Sequence, residues 1–275
     1  MNIDEFAKQI LLGTSIEDKL LDFSCIDKKI PKRLEAFIEI PTNPGRENKI
    51  SISKKQVRFP KIGNFDKKEA RGRALHFFAN HELMAIEMMA AAILKYPTKD
   101  EEDIRFKEEL VKTIVDEQKH FSLYKKRFED LGVEFGDFPL NDFFWRQIHN
   151  LKRPEEFYAL VALTFEVANL DFAKYYHDIF LSVEDQKTAA ILDVVYRDEI
   201  VHVSRGNKWL NHWKGSKKLW DYYLELLPEK ITPARGKGPI FDSVGRKRAG
   251  LSSGFIDSSI NYEDDFAITN RKNWK

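Results

Sequence analysis

Cysteine is almost absent from this 275-residue sequence, in which Cys25 is the only one. An internal disulfide is therefore excluded, and we predict a protein of a reducing compartment, the cytoplasm. An excess of charge of one sign is absent as well, because 45 Lys and Arg residues balance 44 Asp and Glu residues to a net charge of +1. This balance argues against a protein that binds nucleic acids or membranes mainly through charge.

Long hydrophobic runs are also missing. The longest, from Leu83 to Leu94, is interrupted by Glu87 and falls short of the roughly 18 apolar residues that a membrane span requires. The N-terminal residues mix charged with apolar side chains and lack the basic and then apolar segments of a secretory signal. We therefore expect neither a membrane segment nor a secretion signal. With 43% hydrophobic and 32% charged residues, the chain has the composition of a folded protein with a buried core.

Prolines set the organisation of the first 65 residues. Prolines 31, 41, 44 and 60 forbid a long helix there, and short runs such as IEIP and ISISKKQVRFP favour extended pieces. Before them, Thr14 and Ser15 are candidate helix caps. We predict that residues 1–65 form a wrapping arm with short helices.

Long helices are predicted from residue 66 onward, because no proline occurs between Asp66 and Tyr96. Asp66 and Glu69 have the spacing of a capping box, and Asp100 is a candidate cap for a second helix that ends at Gly132. Pro154 is suited to the first turn of a third helix, which runs to about residue 182. A fourth helix is predicted from about residue 185 to Trp213.

Two long helical hairpins joined by a connection indicate an all-α fold, a four-helix bundle over residues 66–214. Residues 215–275 are predicted to form a short helix from Ser216 to Leu227 and a Gly-, Ser- and Lys/Arg-rich surface strap. The basic residues of this strap could form a patch that binds an anion or RNA, but we expect them to be solvated on the surface without such a role. They are Arg235, Lys237, Arg246, Lys247 and Arg248.

Two Glu-x-x-His pairs are the strongest candidates for a metal-binding site. Glu117 and His120 lie in the second predicted helix, and Glu199 and His202 in the fourth. Residues three apart project from the same side of a helix, so each pair can bind one metal ion. Each pair also lies in an apolar stripe and is therefore expected to face the core. The stripe residues are Leu110, Ile114, Phe121, Tyr124 and Phe128 in one helix and Leu192, Val195, Val203 and Leu210 in the other.

The other two helices each supply one further carboxylate. Glu166 lies among Ala159, Ala162, Leu163, Leu170 and Ala173 and is expected to be buried. In the first helix Glu82 and Glu87 compete, since residues five apart point about 140° away from each other. Glu82 and Glu117 flank the first hairpin turn almost symmetrically, as Glu166 and Glu199 flank the second. We therefore choose Glu82 as the ligand. For Glu87 two roles are left open: a residue that supports the ligands, or a polar residue of the core.

Four buried carboxylates together carry a charge of −4, whose desolvation cost is prohibitive unless it is compensated. Two divalent ions cancel this charge. One Glu from each of two helices and one Glu-x-x-His from each of the other two is the ligand set of ferritin-like di-iron and di-manganese proteins. Oxygen and nitrogen donors without thiolate favour Fe or Mn. Asp116 and Asp198, each four residues before the ligand His, are candidates to fix its tautomer.

The strings HFFANHELMAIE, DEQKHF, FEVANLD and RDEIVHVSRGNKW resemble the four helices of an uncharacterised bacterial ferritin-like family, domain of unknown function 455. The resemblance covers roughly residues 70–215 and extends weakly into the tail. More distantly, the chain is similar to di-iron carboxylate hydroxylases, including those that modify tRNA or act in ubiquinone biosynthesis. The resemblance implies two bound Fe ions, with Mn as the alternative. The implied ligands are Glu82, Glu117, His120, Glu166, Glu199 and His202.

From these residues we expect an oxygen-activating di-iron oxidoreductase of the hydroxylase type. The alternative is an iron-binding ferroxidase or storage protein without an organic substrate, and a third reading is a metal-free interaction module. A small molecule or a tRNA-linked group is the expected substrate class, and no residue selects between them. The electron donor is not specified by the sequence, and a homodimer stays open.

Three histidines and one tyrosine have side chains that could bind metal or act in catalysis but belong to no motif. None of His76, His81 and His177 has an acidic residue three positions before it, so we expect core or surface roles for them. Tyr124, seven residues after Glu117, is expected to be a buried packing residue in preference to a redox-active tyrosine.

Overall fold

The computed structural model describes residues 1–27, 39–55 and 58–264. Within these ranges the chain is all-α and contains no strand, only an isolated bridge between Ile52 and Leu140. The predicted extended chain around Pro31 lies outside the described residues, as do parts of the runs IEIP and ISISKKQVRFP. Two compact units are present, the first comprising Met1–His149 and the second beginning at Asn150. We call them the N-terminal and the C-terminal unit; the three-segment division of the sequence stays a prediction.

The N-terminal unit is built around two long helices. Its helices are α1 (Ile3–Leu12), α2 (Ile16–Lys19), α3 (Lys68–Lys95) and α4 (Glu101–Asp130), with short 3-10 turns at Phe23–Cys25, Asn48–Ile50 and Ile62–Asn64. Helices α3 and α4 pack against each other, and α1 packs against α3. Asp100 caps α4 by accepting hydrogen bonds from two amides of its first turn, and Ser15 caps α2, both as predicted.

The predicted capping box at Asp66 is wrong. Helix α3 begins at Lys68, its N-cap residue is Lys67, and no side chain caps it. The reason is the 3-10 turn just before it: the Lys67 amide donates to the Asn64 carbonyl, so Asp66 lies in a turn, one residue ahead of the cap.

Helix α3 has one further property. By length and composition it is apolar enough to cross a membrane, and no other helix in the described part of the chain is. Within the protein, 78% of its most apolar window is buried. A buried core helix has the same composition, because its whole circumference is covered by protein.

The C-terminal unit contains the second hairpin. A 3-10 turn at Trp145–Asn150 precedes α5 (Pro154–Leu160), a π-helical turn (Val161–Glu166) and α6 (Val167–Ser182), which together form the third predicted helix. Helix α7 (Gln186–Trp213) returns along α6 and is capped by Asp185. Then follow α8 (Leu219–Leu226), a 3-10 turn (Pro233–Gly236), α9 (Ser243–Arg248) and α10 (Ser253–Asn261).

The tail differs from its prediction in two respects. The short helix α8 begins at Leu219, three residues later than expected, and the predicted solvated strap contains two helices. Arg246 is buried although the prediction placed it on the surface. Its guanidinium ion-pairs with the buried carboxylate of Asp171 in α6, a partner that the local sequence of the tail does not reveal.

Candidate metal-binding residues

Helices α3 and α4 bring Glu82, Glu117 and His120 together in the N-terminal unit. The His120 Nδ1 atom lies 3.4 Å from a Glu117 carboxylate oxygen and 3.9 Å from one of Glu82. All three residues are buried, with at most 5% of their surface exposed. We call this group the N-terminal triad. It consists of two carboxylates and one imidazole, the donor types that the sequence predicted.

The orientation of α4 follows from its apolar stripe. The five apolar residues that the sequence placed on the face of Glu117 are all buried. Burial of this stripe turns the helix so that Glu117 and His120, one turn apart, face inward with it. Tyr124 belongs to the same face and packs its ring against Phe78, 5.8 Å away between centroids.

Glu87, the competing acid of α3, lies in a different environment. Its carboxylate accepts two hydrogen bonds from Arg46, at 2.6 and 2.9 Å, and lies 3.3 Å from the Lys19 Nζ atom. Both cations come from the segment before α3. The two acids therefore lie in different surroundings, as their five-residue spacing on a helix predicts, with Glu82 beside His120 and Glu87 bound to the N-terminal segment. Ligation of a metal by Glu82 stays a prediction.

Helices α6 and α7, with the π turn, bring a matching group together in the C-terminal unit. The His202 Nδ1 atom lies 3.5 Å from a Glu199 oxygen and 4.0 Å from a Glu166 oxygen. These residues are also buried, with at most 7% of their surface exposed. We call Glu166, Glu199 and His202 the C-terminal triad.

Asn169 is a supporting residue that the sequence reasoning missed. Its side-chain amide donates a hydrogen bond of 3.0 Å to Glu199 Oε1, while the other oxygen, Oε2, is the one near His202. The bond fixes the rotation of the Glu199 carboxylate. A signal was available, because Asn169 follows Glu166 by three residues and so shares its side of the helix.

Asp116 and Asp198, the predicted tautomer-fixing residues, are half-buried, and their role stays a prediction. Three histidines that lack an acidic residue three positions earlier have other contacts. His76 accepts a hydrogen bond from the Gly136 amide, and the His81 ring lies between those of Phe77 and Phe144. His177 is near Asp178 and Asp193.

Each triad has the chemistry and spacing of a metal-binding group. Two atoms that each lie about 2.1 Å from one ion are about 3.4 Å apart at a bond angle of about 110°, and about 4 Å apart at about 140°. The distances from the two histidine nitrogens, 3.4 to 4.0 Å, fall in this range. In the N-terminal triad one atom from each residue lies within 4.8 Å of the others. Buried Glu and His residues in this arrangement are able to hold a metal ion.

Comparison with known proteins gives a family and no activity. An uncharacterized protein of Haemophilus influenzae is 28% identical over 203 residues, which cover 70% of this chain and 69% of that protein. No solved structure matches the chain. Residues 13–257 match the family described as "Protein of unknown function (DUF455)". Since this match spans most of the sequence and includes all six residues of the two triads, the chain belongs to that family.

Proposed function

We propose that this protein is a ferritin-like di-iron carboxylate oxidoreductase that activates oxygen, with Mn as the alternative metal. The observation that carries the proposal is the occurrence of the same buried triad twice, once in each unit. A single Glu-x-x-His pair arises readily by chance on a helix. Two pairs, each buried on an apolar face beside a further buried Glu, require a common reason.

We further propose that the two triads serve one dinuclear site within a four-helix bundle. The support is the donor count: four carboxylates and two imidazoles, drawn from four long helices, match the ligand set of di-iron carboxylate proteins. Charge gives a second support, since four carboxylates neutralise two divalent ions. When bound, the two ions would supply redox chemistry with oxygen.

The protein's own residues have separate tasks in this proposal. The Nδ1 atoms of His120 and His202 would bind metal and set the geometry at each position. Glu117 and Glu199 would bind beside them, and the Asn169 amide would hold the Glu199 carboxylate in one rotation. The apolar stripes of α4 and α7 would exclude bulk water from the site. A hydroxylation substrate, small or tRNA-linked, is part of the proposal only as a class.

Metal content tests the proposal directly. Protein loaded anaerobically with Fe(II) and freed of excess metal should contain about two ions per chain by elemental analysis, and should change its absorption spectrum on exposure to oxygen. Glu117→Ala and Glu199→Ala should each lower the occupancy of both ions if the triads share one site. A matched control is Glu129→Ala, which removes an exposed carboxylate of α4.

Iron storage and the metal-free module give different results in the same experiment. Uptake of many iron ions per chain would favour iron storage over oxygen activation. A chain that retains no iron would support the metal-free interaction module. Independent loss of one ion in each variant would contradict the shared site while leaving two separate metal positions.

A further inference from the structure

The third long predicted helix is interrupted by a turn that ends at Glu166, a residue of the C-terminal triad. Between α5 and α6, residues Val161–Glu166 form a π-helical turn, and Glu166 is its last residue. The helices that carry the other triad residues, α3, α4 and α7, are continuous α-helices. Short π turns inside α-helices are rare and often occur at functional sites. This turn therefore needs a physical cause and has a consequence for Glu166.

A chain of two side-chain hydroxyls holds the turn. Thr164 Oγ1 donates to the carbonyl of Ala159, five residues earlier, at 2.9 Å, and lies 2.8 Å from the hydroxyl of Tyr223 in α8. Since the only hydroxyl proton of threonine is used on the Ala159 carbonyl, Tyr223 must donate to Thr164. Burial raises the pKa of Tyr223, which keeps this donor protonated. Both side chains are inaccessible to solvent.

Glycines allow neighbouring segments to approach the turn closely. A Cβ atom at Gly206 of α7 would lie 2.2 Å from the Ala162 Cβ, so no other residue fits there without a shift. Gly236 also lies near the turn: a Cβ atom there would lie 3.2 Å from Val167 Cγ1 at the start of α6 and at an ordinary contact distance, 3.5 Å, from the Leu163 carbonyl oxygen. The turn is therefore enclosed by packed protein, and the Thr164 hydroxyl reaches its partners inside this packing.

The π turn changes the direction in which the following side chains point. Its hydrogen bonds join residues five apart where an α-helix joins residues four apart, so one turn holds an extra residue. One residue corresponds to about 100° of rotation in an α-helix. Tyr158 in α5 stacks on Trp209, with ring centroids 6.4 Å apart, while Glu166 and Asn169 approach His202 and Glu199. Glu166 lies eight residues after Tyr158, about 80° around a regular α-helix, and the extra residue reduces this angle to about 20°, so that both side chains face α7.

We infer that Thr164 and Tyr223 are positioning residues for Glu166: their hydrogen-bonded hydroxyls hold the π turn that directs this carboxylate toward His202. The inference rests on the proposed metal-binding function, and it deepens that function by assigning two residues outside the triads. Neither residue contacts the triads' donor atoms in the contacts described above. Their effect on metal binding should therefore pass through the turn.

The test uses the full chain and single-atom changes. Thr164→Val and Tyr223→Phe each remove one hydroxyl with little change of shape, and Thr164→Ser keeps the hydroxyl. Fe(II) affinity is measured anaerobically by competition with a chelator, and Co(II) absorption reports the ligand geometry. The matched control is Tyr222→Phe, which changes the neighbouring tyrosine of α8.

We expect Thr164→Val and Tyr223→Phe each to weaken the binding of one ion by about tenfold and to alter the Co(II) spectrum, a magnitude typical of residues that support metal ligands. Combining them should cost no more than the larger single effect, because the two hydroxyls form one chain. Thr164→Ser and Tyr222→Phe should bind like the wild type. If Thr164→Val does not fold, Tyr223→Phe carries the test.

Two failures are distinguishable. Wild-type affinity and spectrum in Thr164→Val and Tyr223→Phe, with only a lower melting temperature, would show that the hydroxyls stabilise the helix without positioning Glu166, and would overturn this inference alone. A wild-type protein that binds no metal would overturn the proposed function, and this inference with it.

Discussion

The two units carry the same kind of triad on a pair of long helical segments but support it differently. In each unit, the residue five positions after the first Glu is a second buried acid: Glu87 follows Glu82, and Asp171 follows Glu166. Both of these acids bind an arginine from a terminal segment, Arg46 before the N-terminal hairpin and Arg246 after the C-terminal one. The recurrence indicates that each hairpin uses one acid toward the triad and another to attach its terminal segment.

The difference lies in which groups compensate the negative charge of the buried acid in each unit. Glu87 is shared by two cations, Arg46 and the fully buried Lys19, whose pKa is lowered mainly by desolvation. Asp171 has one cation, Arg246, together with the backbone amides of Gly238 and Asp242. Loss of one arginine should therefore be more damaging in the C-terminal unit, and this expectation can be measured.

The largest expected effect is that of Arg246→Met. This change leaves the carboxylate of Asp171 buried without the cation that pairs with it among the described residues, which should lower the free energy of unfolding by about 3–5 kcal/mol. Arg46→Met should cost less, about 1.5–3 kcal/mol, because Lys19 remains beside Glu87. Urea denaturation of the two variants and the wild type measures both. Equal losses would show that the two attachments are energetically alike.

The next effect separates the two acids of α3. Glu82→Ala should weaken the binding of iron by more than about 100-fold, beyond the range for residues that only support ligands. Glu87→Ala should mainly lower stability, since it leaves Arg46 and Lys19 buried together without a counter-charge. Elemental analysis and thermal melts distinguish the two results. The opposite pattern would assign the ligand role to Glu87.

A pH effect is expected in the N-terminal unit. Burial lowers the pKa of His76 from 6.5 to about 4, and its Nε2 atom accepts the Gly136 amide hydrogen bond, which requires the neutral ring. Protonation therefore favours the unfolded chain, so this contribution to stability is complete above about pH 6.5 and declines as the pH falls toward 4. By pH 5 the metal-free protein should lose roughly 2 kcal/mol from this residue.

Urea denaturation between pH 7 and pH 5 measures the effect. His76→Leu should remove this part of the pH dependence, whereas His177→Ala, a change at a half-exposed histidine, should retain it. If the free energy of unfolding changes equally with pH in the wild type and in His76→Leu, other groups cause the loss of stability.

The smallest effect concerns the support of Glu199. Asn169→Ala removes the hydrogen bond to Oε1 and should weaken the binding of one ion by about tenfold, with little change in stability. The residue three positions after Glu82 is Ala85, so the N-terminal unit has no counterpart at this position. The control is Asn211→Ala, which changes another amide in the same unit, one that donates hydrogen bonds to Asn207 within α7. Unchanged affinity in Asn169→Ala would remove this difference between the units.

The hydrophobic periodicity and the capping residues of the sequence were sufficient to predict much of how the helices that carry the candidate residues are placed. The apolar stripes predicted which faces of α4 and α7 are buried, and Asp100 predicted the start of α4. The π turn was not predicted, because its cause is the contact of Thr164 with Tyr223, 59 residues away. The cap at Asp66 was wrong because a preceding 3-10 turn shifts the start of α3, and capping patterns do not include such turns.

The sequence by itself determined the helical class and placed each Glu-x-x-His pair on one face, because both depend on residues within a few turns of one another. Only the tertiary structure decided how the remaining acids are used. Glu87 binds an arginine 41 residues away, and Asp171 binds one 75 residues away. Such pairs form when packing removes both charges from water, and a buried carboxylate then requires whichever cation the fold brings to it. No local pattern contains that information.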